Sequence, residues 1–215
     1  MIRDRLRGAI AALAALAALL VASPALYAQT DSSIGVGVAV TFYDPANPNA
    51  DHPTGVGLVG RLRRGSGLGA TVGMDWFTSN LRADVDGQPT RVAHISVKPL
   101  MAGVSYIRQF RRYALSAGIV GGWAFTSMSQ SSAQREAYGA SVGIPDASVS
   151  ISNCLAIEPN VTFWYELGNH LAASASVAYM VARPTLTASG PSGTHASQVN
   201  LSATVITFAL VYGIF

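Results

Sequence analysis

SSIGVGVAVTF, Ser32 to Phe42, places a bulky apolar residue at every second position. Ile34, Val36, Val38, Val40 and Phe42 form one series, and the small residues Gly35, Gly37, Ala39 and Thr41 stand between them. Successive side chains of a β-strand point to opposite faces, so this segment has one broad apolar face and one lean face. A helix would need a period of 3.6, and its interior would tolerate these glycines and β-branched residues poorly.

The same rule recurs along the chain. In TGVGLVGRLR, Val56, Leu58 and Leu62 oppose Gly57, Val59, Arg61 and Arg63; in LGATVGMDWFT, Leu68, Ala70, Val72, Met74 and Trp76 oppose Gly69, Thr71, Gly73 and Asp75. YALSAGIVGGWAF sets Tyr113, Leu115, Ile119, Trp123 and Phe125 against Ser116, Gly118, Gly122 and Ala124. LAIEPNVTFWYEL sets Leu155, Ile157, Val161, Phe163 and Tyr165 against Glu158, Asn160, Thr162 and Glu166, and LAASASVAYMVAR alternates likewise from Leu171. Between them, RVAHISVKPLMAGVSYIRQF is expected to change phase: Ile95 and Val97 share one face, and beyond Pro99 the bulky set becomes Leu100, Val104 and Tyr106. A bulge is expected there, because proline removes a ladder donor, and this phase puts His94, Ser96 and Lys98 on the lean side.

The closing stretch, VNLSATVITFALVYGIF, is the eighth strand. Short turns at RRGSG, FRR and LGNH alternate with longer connections near 44–54, 79–90, 127–153 and 185–197. An even number of ~10-residue alternating strands joined in this way is the pattern of an outer-membrane barrel. In a closed barrel the last strand pairs with the first, so its apolar side chains meet lipid and its edge is not left open to water.

Upstream, residues 1–28 have the zones of a secretory signal peptide. Arg3, Arg5 and Arg7 precede an apolar run from Ala9 to Ala22, and small residues follow, with Ala28 or Ala25 at the cleavage position. The run is shorter than the ~18 residues a spanning helix needs. These three arginines and Asp4 lie in the leader, so the 14 basic and 11 acidic residues of the whole chain become 11 and 10 beyond it. The remaining balance carries no basic stripe and points away from nucleic acid. Cys154 is the only thiol, which excludes an intramolecular disulfide and a cysteine metal site. Residues 29–215 thus read as one all-β domain, an eight-stranded antiparallel up-and-down transmembrane barrel.

Strand count, turn alternation and the terminal Phe215 together resemble the small eight-stranded outer-membrane proteins, the group of the OmpA transmembrane domain, OmpX and the opacity-like proteins. The resemblance covers the chain beyond the leader. It implies bacterial outer-membrane localisation, contact with outer-membrane lipids and lipopolysaccharide, and an extracellular ligand of unknown kind. It also implies recognition of Phe215 by the outer-membrane assembly machinery. The implied role is surface adhesion, ligand binding or envelope integrity, with no cofactor and no catalysis. A small-solute channel or transporter is the competing class, and a lipid A-modifying enzyme a third.

The pairs His94/Ser96 and His195/Ser197 lack a carboxylate nearby in sequence, so neither makes a nucleophile with an oriented base. Asp44, Asp51 and His52 in the first loop are weak metal ligands, being three residues of a loop with no fixed geometry. The candidate residues of most interest are the polar ones on the lean phase: Arg61, Asp75, Lys98, Glu158 and Asn160. A small barrel interior is just wide enough for side chains, so these are expected to form a paired polar network plugging the lumen.

Overall fold

The computed structural model describes residues 32–48, 50–85, 88–132, 148–168, 170–191 and 193–214. Residues 1–28, read above as a signal peptide, and Phe215 lie outside them. The described residues form eleven strands: β1 (Ser32–Pro45), β2 (Thr54–Arg64), β3 (Gly67–Val85), β4 (Gln88–Phe110), β5 (Tyr113–Ser129), β6 (Ser148–Ile151), β7 (Cys154–Glu166), β8 (Leu171–Ala182), β9 (Thr185–Gly190), β10 (Gly193–Gln198) and β11 (Ala203–Ile214). Eight of them close into an antiparallel barrel in the order β1-β11-β8-β7-β5-β4-β3-β2. The seam pairs β1 with β11 from Ile34↔Ile214 to Pro45↔Ala203, so neither strand presents a free edge.

The alternation read from the sequence places the outer face. Ile34, Val36, Val38, Val40 and Phe42 are exposed on β1, as are Ile206, Phe208, Leu210 and Tyr212 on β11. Similar rows on every barrel strand make a continuous apolar belt, far more than a soluble monomer leaves to water, so its solvent is lipid. On the loop side the belt stops at polar outward residues, among them Asp44, Thr54, Thr78, Ser127 and Arg183, all exposed.

β4 departs from the expected phase. Its register with β3 is the same on both sides of Pro99, from Met74↔Leu100 to Phe77↔Val97, so no residue is inserted there. The proline only leaves a gap in the ladder opposite Asp75 and Trp76, as a residue without an N–H must. A second gap falls at Glu158 and Pro159 of β7 against β8. The register shift lies at Leu81/Arg82, nearer the loop end. Ile95 and Val97 therefore point inward with Met101, buried to 0%, 1% and 8% exposure, and Lys98 and Leu100 point outward.

The connections also differ from expectation. Residues 79–90 are mostly strand, since β3 and β4 stay paired up to Val85↔Gln88. Residues 185–197 form the β9–β10 hairpin, and β6 adds to β9, giving a three-stranded sheet in the order β10-β9-β6 on the loop side of the barrel. Ser152 tethers this sheet, its N–H donating to the Thr185 carbonyl at 2.9 Å and its hydroxyl accepting from the Thr185 N–H at 2.9 Å.

Candidate functional site

The lumen is built in three levels. On the loop side it is apolar: Tyr43, Phe77, Ile95, Val97, Met101, Met180 and Val205 are buried in one cluster, the rings of Tyr43 and Phe77 lying 4.0 Å apart. Burial of several large side chains at this level leaves the upper barrel filled by the protein's own core.

Below it lies a polar level. The Tyr43 hydroxyl donates to Asp75 Oδ2 at 3.1 Å, and Thr41, fully buried, also bonds the Asp75 side chain. Thr41 Oγ1 is in turn 3.2 Å from Thr207 Oγ1 across the β1–β11 seam. Asp75 occupies the place a side chain on Gly57 would take, since a Cβ there would collide with Asp75 Oδ1. The lean phase is lean for this reason: a glycine on one strand makes room for a carboxylate from the next. Glu158, from the far wall, lies within electrostatic reach of both Asp75 and Tyr43. Asn160 turns its amide to the Glu158 carbonyl, with Nδ2 donating at 3.4 Å.

Toward the turn side, Arg61 is buried with its guanidinium carbon 3.9 Å from the centre of the Trp164 ring. Trp164 Nε1 donates to Ser116 Oγ at 3.3 Å, and Ile107, Ala114 and Val211 complete this cluster. A desolvated cation on an indole face is among the stronger contacts of its kind, about 2 kcal/mol.

Four of the five proposed lumen residues thus share the interior, and Lys98 does not. Lys98 is exposed on the outer wall opposite Phe125, because Pro99 interrupts the ladder without shifting the register. His94 and Ser96 share its face, not the lumen. His94 Nδ1 lies 2.9 Å from Asn80 Oδ1, and Asn80 Nδ2 donates to Asp51 Oδ2 at 2.7 Å, which ties the first loop to β3 and β4. Asp44 and His52 form a separate exposed contact at 3.0 Å. His195 is exposed on β10. Among the described residues, no three His, Cys, Asp or Glu side chains gather as metal ligands. Trp164 and Tyr43 were not singled out from the sequence as lumen residues. Trp164 carried a signal, a large aromatic in phase with Glu158, Asn160 and Thr162.

No protein-family model and no curated protein matches the sequence. Solved structures do match the fold. The outer membrane protein OprG from Pseudomonas aeruginosa superposes with a TM-score of 0.70 at 14% identity, over 87% of this chain and 98% of its own. A major outer membrane protein from Thermus thermophilus gives 0.55 at 15%, and outer membrane protein W of E. coli 0.55 at 12%, each over 86% of this chain and 100% of theirs. At such identities the likeness is one of fold, and it agrees with the closed wall and apolar belt: the chain has the fold of the small eight-stranded outer-membrane barrels of bacteria.

Proposed function

We propose that this barrel is a non-enzymatic surface protein of the outer membrane, an anchor whose loop-side sheet is its interacting element, serving adhesion, ligand binding or envelope integrity. The observation that carries this reading is the filled lumen. Its loop-side half is closed by the cluster around Ile95, Val97 and Met180, and its turn-side half by Arg61 on Trp164. Such packing favours a plug over an aqueous pore. Reconstituted in a planar bilayer, the mature protein is expected to show no steady ion conductance. A persistent single-channel current would sink the reading in favour of a channel.

The sheet of β6, β9 and β10 supports the second half of the reading. It stands on the longer-loop side of the barrel, which in outer-membrane barrels faces outward. An epitope inserted after Pro191, at the exposed β9–β10 turn, is expected to be antibody-accessible on intact cells, and one at Gly65 only after the outer membrane is permeabilised. The reverse pattern would invert the topology and remove the sheet from the surface.

A further inference from the structure

We propose that the open edge of β10 pairs antiparallel with β10 of a second copy of this chain standing in a facing membrane. This rests on the surface reading above and names the partner of its loop-side sheet. β9 and β10 continue the β8–β11 ladder without a slip: the register that joins Leu171↔Tyr212 in the wall still joins Gly190↔Gly193 at the tip. Across the gap it is carried by the Leu201 N–H donating to the Ala182 carbonyl at 3.0 Å and the Val199 N–H to the Pro184 carbonyl at 2.9 Å. In the wall the other side of β11 is covered by β1, and that cover ends where the Ala46 N–H donates to the Ser202 carbonyl at 2.7 Å. β1 stops at Pro45 and Pro48 follows, neither of which can donate to a ladder.

β10 is therefore an edge strand, with β9 on one side and, among the described residues, no strand on the other. Antiparallel bonds alternate, so Gly193, His195 and Ser197 bond β9, while the N–H and C=O of Thr194, Ala196 and Gln198 point to the open side. These three residues are exposed. Open edges are normally blunted by Lys, Pro or a bulge. This one is not: no Asp, Glu, Lys or Arg follows Arg183, β10 has no proline, and its register with β9 does not shift. A second copy suits such an edge. With Ala196 on a two-fold axis, Thr194 of each copy meets Gln198 of the other and Ala196 meets its equivalent, so every open position is used. An uncharged edge meets itself without like charges opposite one another and offers a charged peptide no complement. Symmetry then requires facing membranes. β10 continues a strand tilted ~40° from the barrel axis, so two copies in one membrane, related by rotation about its normal, both rise and cannot run antiparallel. An axis lying between facing membranes reverses one copy, and many weak ladders add across the two surfaces.

The test uses nanodiscs carrying one mature barrel each, followed by light scattering from micromolar to about 1 mM, the range of a short, weak contact. Wild-type discs are expected to pair. Ala196→Pro should weaken the pairing about thirtyfold, because both bonds across the axis are lost together. It spares the hairpin, since the Ala196 N–H does not serve β9. Ala196→Lys and Ala196→Glu discs should each stay single and pair when mixed, because position 196 meets itself. The heat-modifiable gel shift reports whether each variant keeps its barrel. Wild-type discs that stay single throughout the range would overturn the proposal and leave the edge to another extended chain. Undiminished pairing by folded Ala196→Pro, or a mixture that pairs no better than its two components, would overturn it equally. The epitope after Pro191 tests the surface reading separately: an accessible epitope together with single discs removes the pairing alone.

Discussion

Trp164→Ala is expected to lower the unfolding free energy of the barrel by about 4 kcal/mol, the cost of removing a large buried aromatic. The indole fills the turn-side lumen, donates to Ser116 and lies under the Arg61 guanidinium. Truncation would leave a void and deprive the buried cation of its π-face at once. Trp164→Phe separates the contributions. It keeps a ring for Arg61 and loses the N–H···O bond, so its cost should fall to about 1 kcal/mol. Urea unfolding of protein refolded in vesicles measures both, with Trp76 and Trp123 remaining as fluorophores in either variant. An unchanged midpoint for Trp164→Ala would show that the lower lumen is not a packed core.

Gly122→Val is expected to cost at least about 3 kcal/mol or to prevent closure, since overpacking against backbone cannot be relieved by a rotamer. A Cβ at Gly122 would run into the Leu100 carbonyl oxygen and stand 2.8 Å from Met101 Cα, both on the neighbouring β4. The residue before it supplies the control. At Gly121 the nearest atom to an added Cβ is the Ala156 carbonyl oxygen at 3.6 Å, an ordinary contact, so Gly121→Ala should fold normally. The two sites lie one position apart in the chain and on opposite faces of β5, and Gly122→Ala, which adds only the Cβ, is the matched variant for Gly121→Ala. The heat-modifiable gel shift should be lost or reduced for Gly122→Val and retained for Gly121→Ala. Equal behaviour of the two would mean that the inward glycines are not needed for close strand approach.

Most of the wall was legible before any coordinates. Wherever a bulky apolar series faced a series of Gly, Ala, Ser and Thr, as in Ile34 to Phe42 or Leu68 to Trp76, the outward phase followed at once, because lipid accepts large apolar groups and a narrow lumen accepts small ones. Arg61, Asp75, Glu158 and Asn160 came out on the inward side for the same reason. β4 was not legible. Ile95 and Val97 are as apolar as Leu100 and Val104, and alternation alone cannot distinguish a side chain facing lipid from one facing an apolar core inside the barrel. The register across Pro99 settled it, moving Lys98 from the expected network to the outer wall. The loop-side sheet was missed because its short strands, such as GTHASQ, have no contrast between faces for a period to reveal. Contacts such as Arg61 on Trp164 or Tyr43 to Asp75 join strands that do not pair with one another in the wall. Their pairing depends on the tilt and stagger with which eight strands close, a property of the whole sheet and of no single segment.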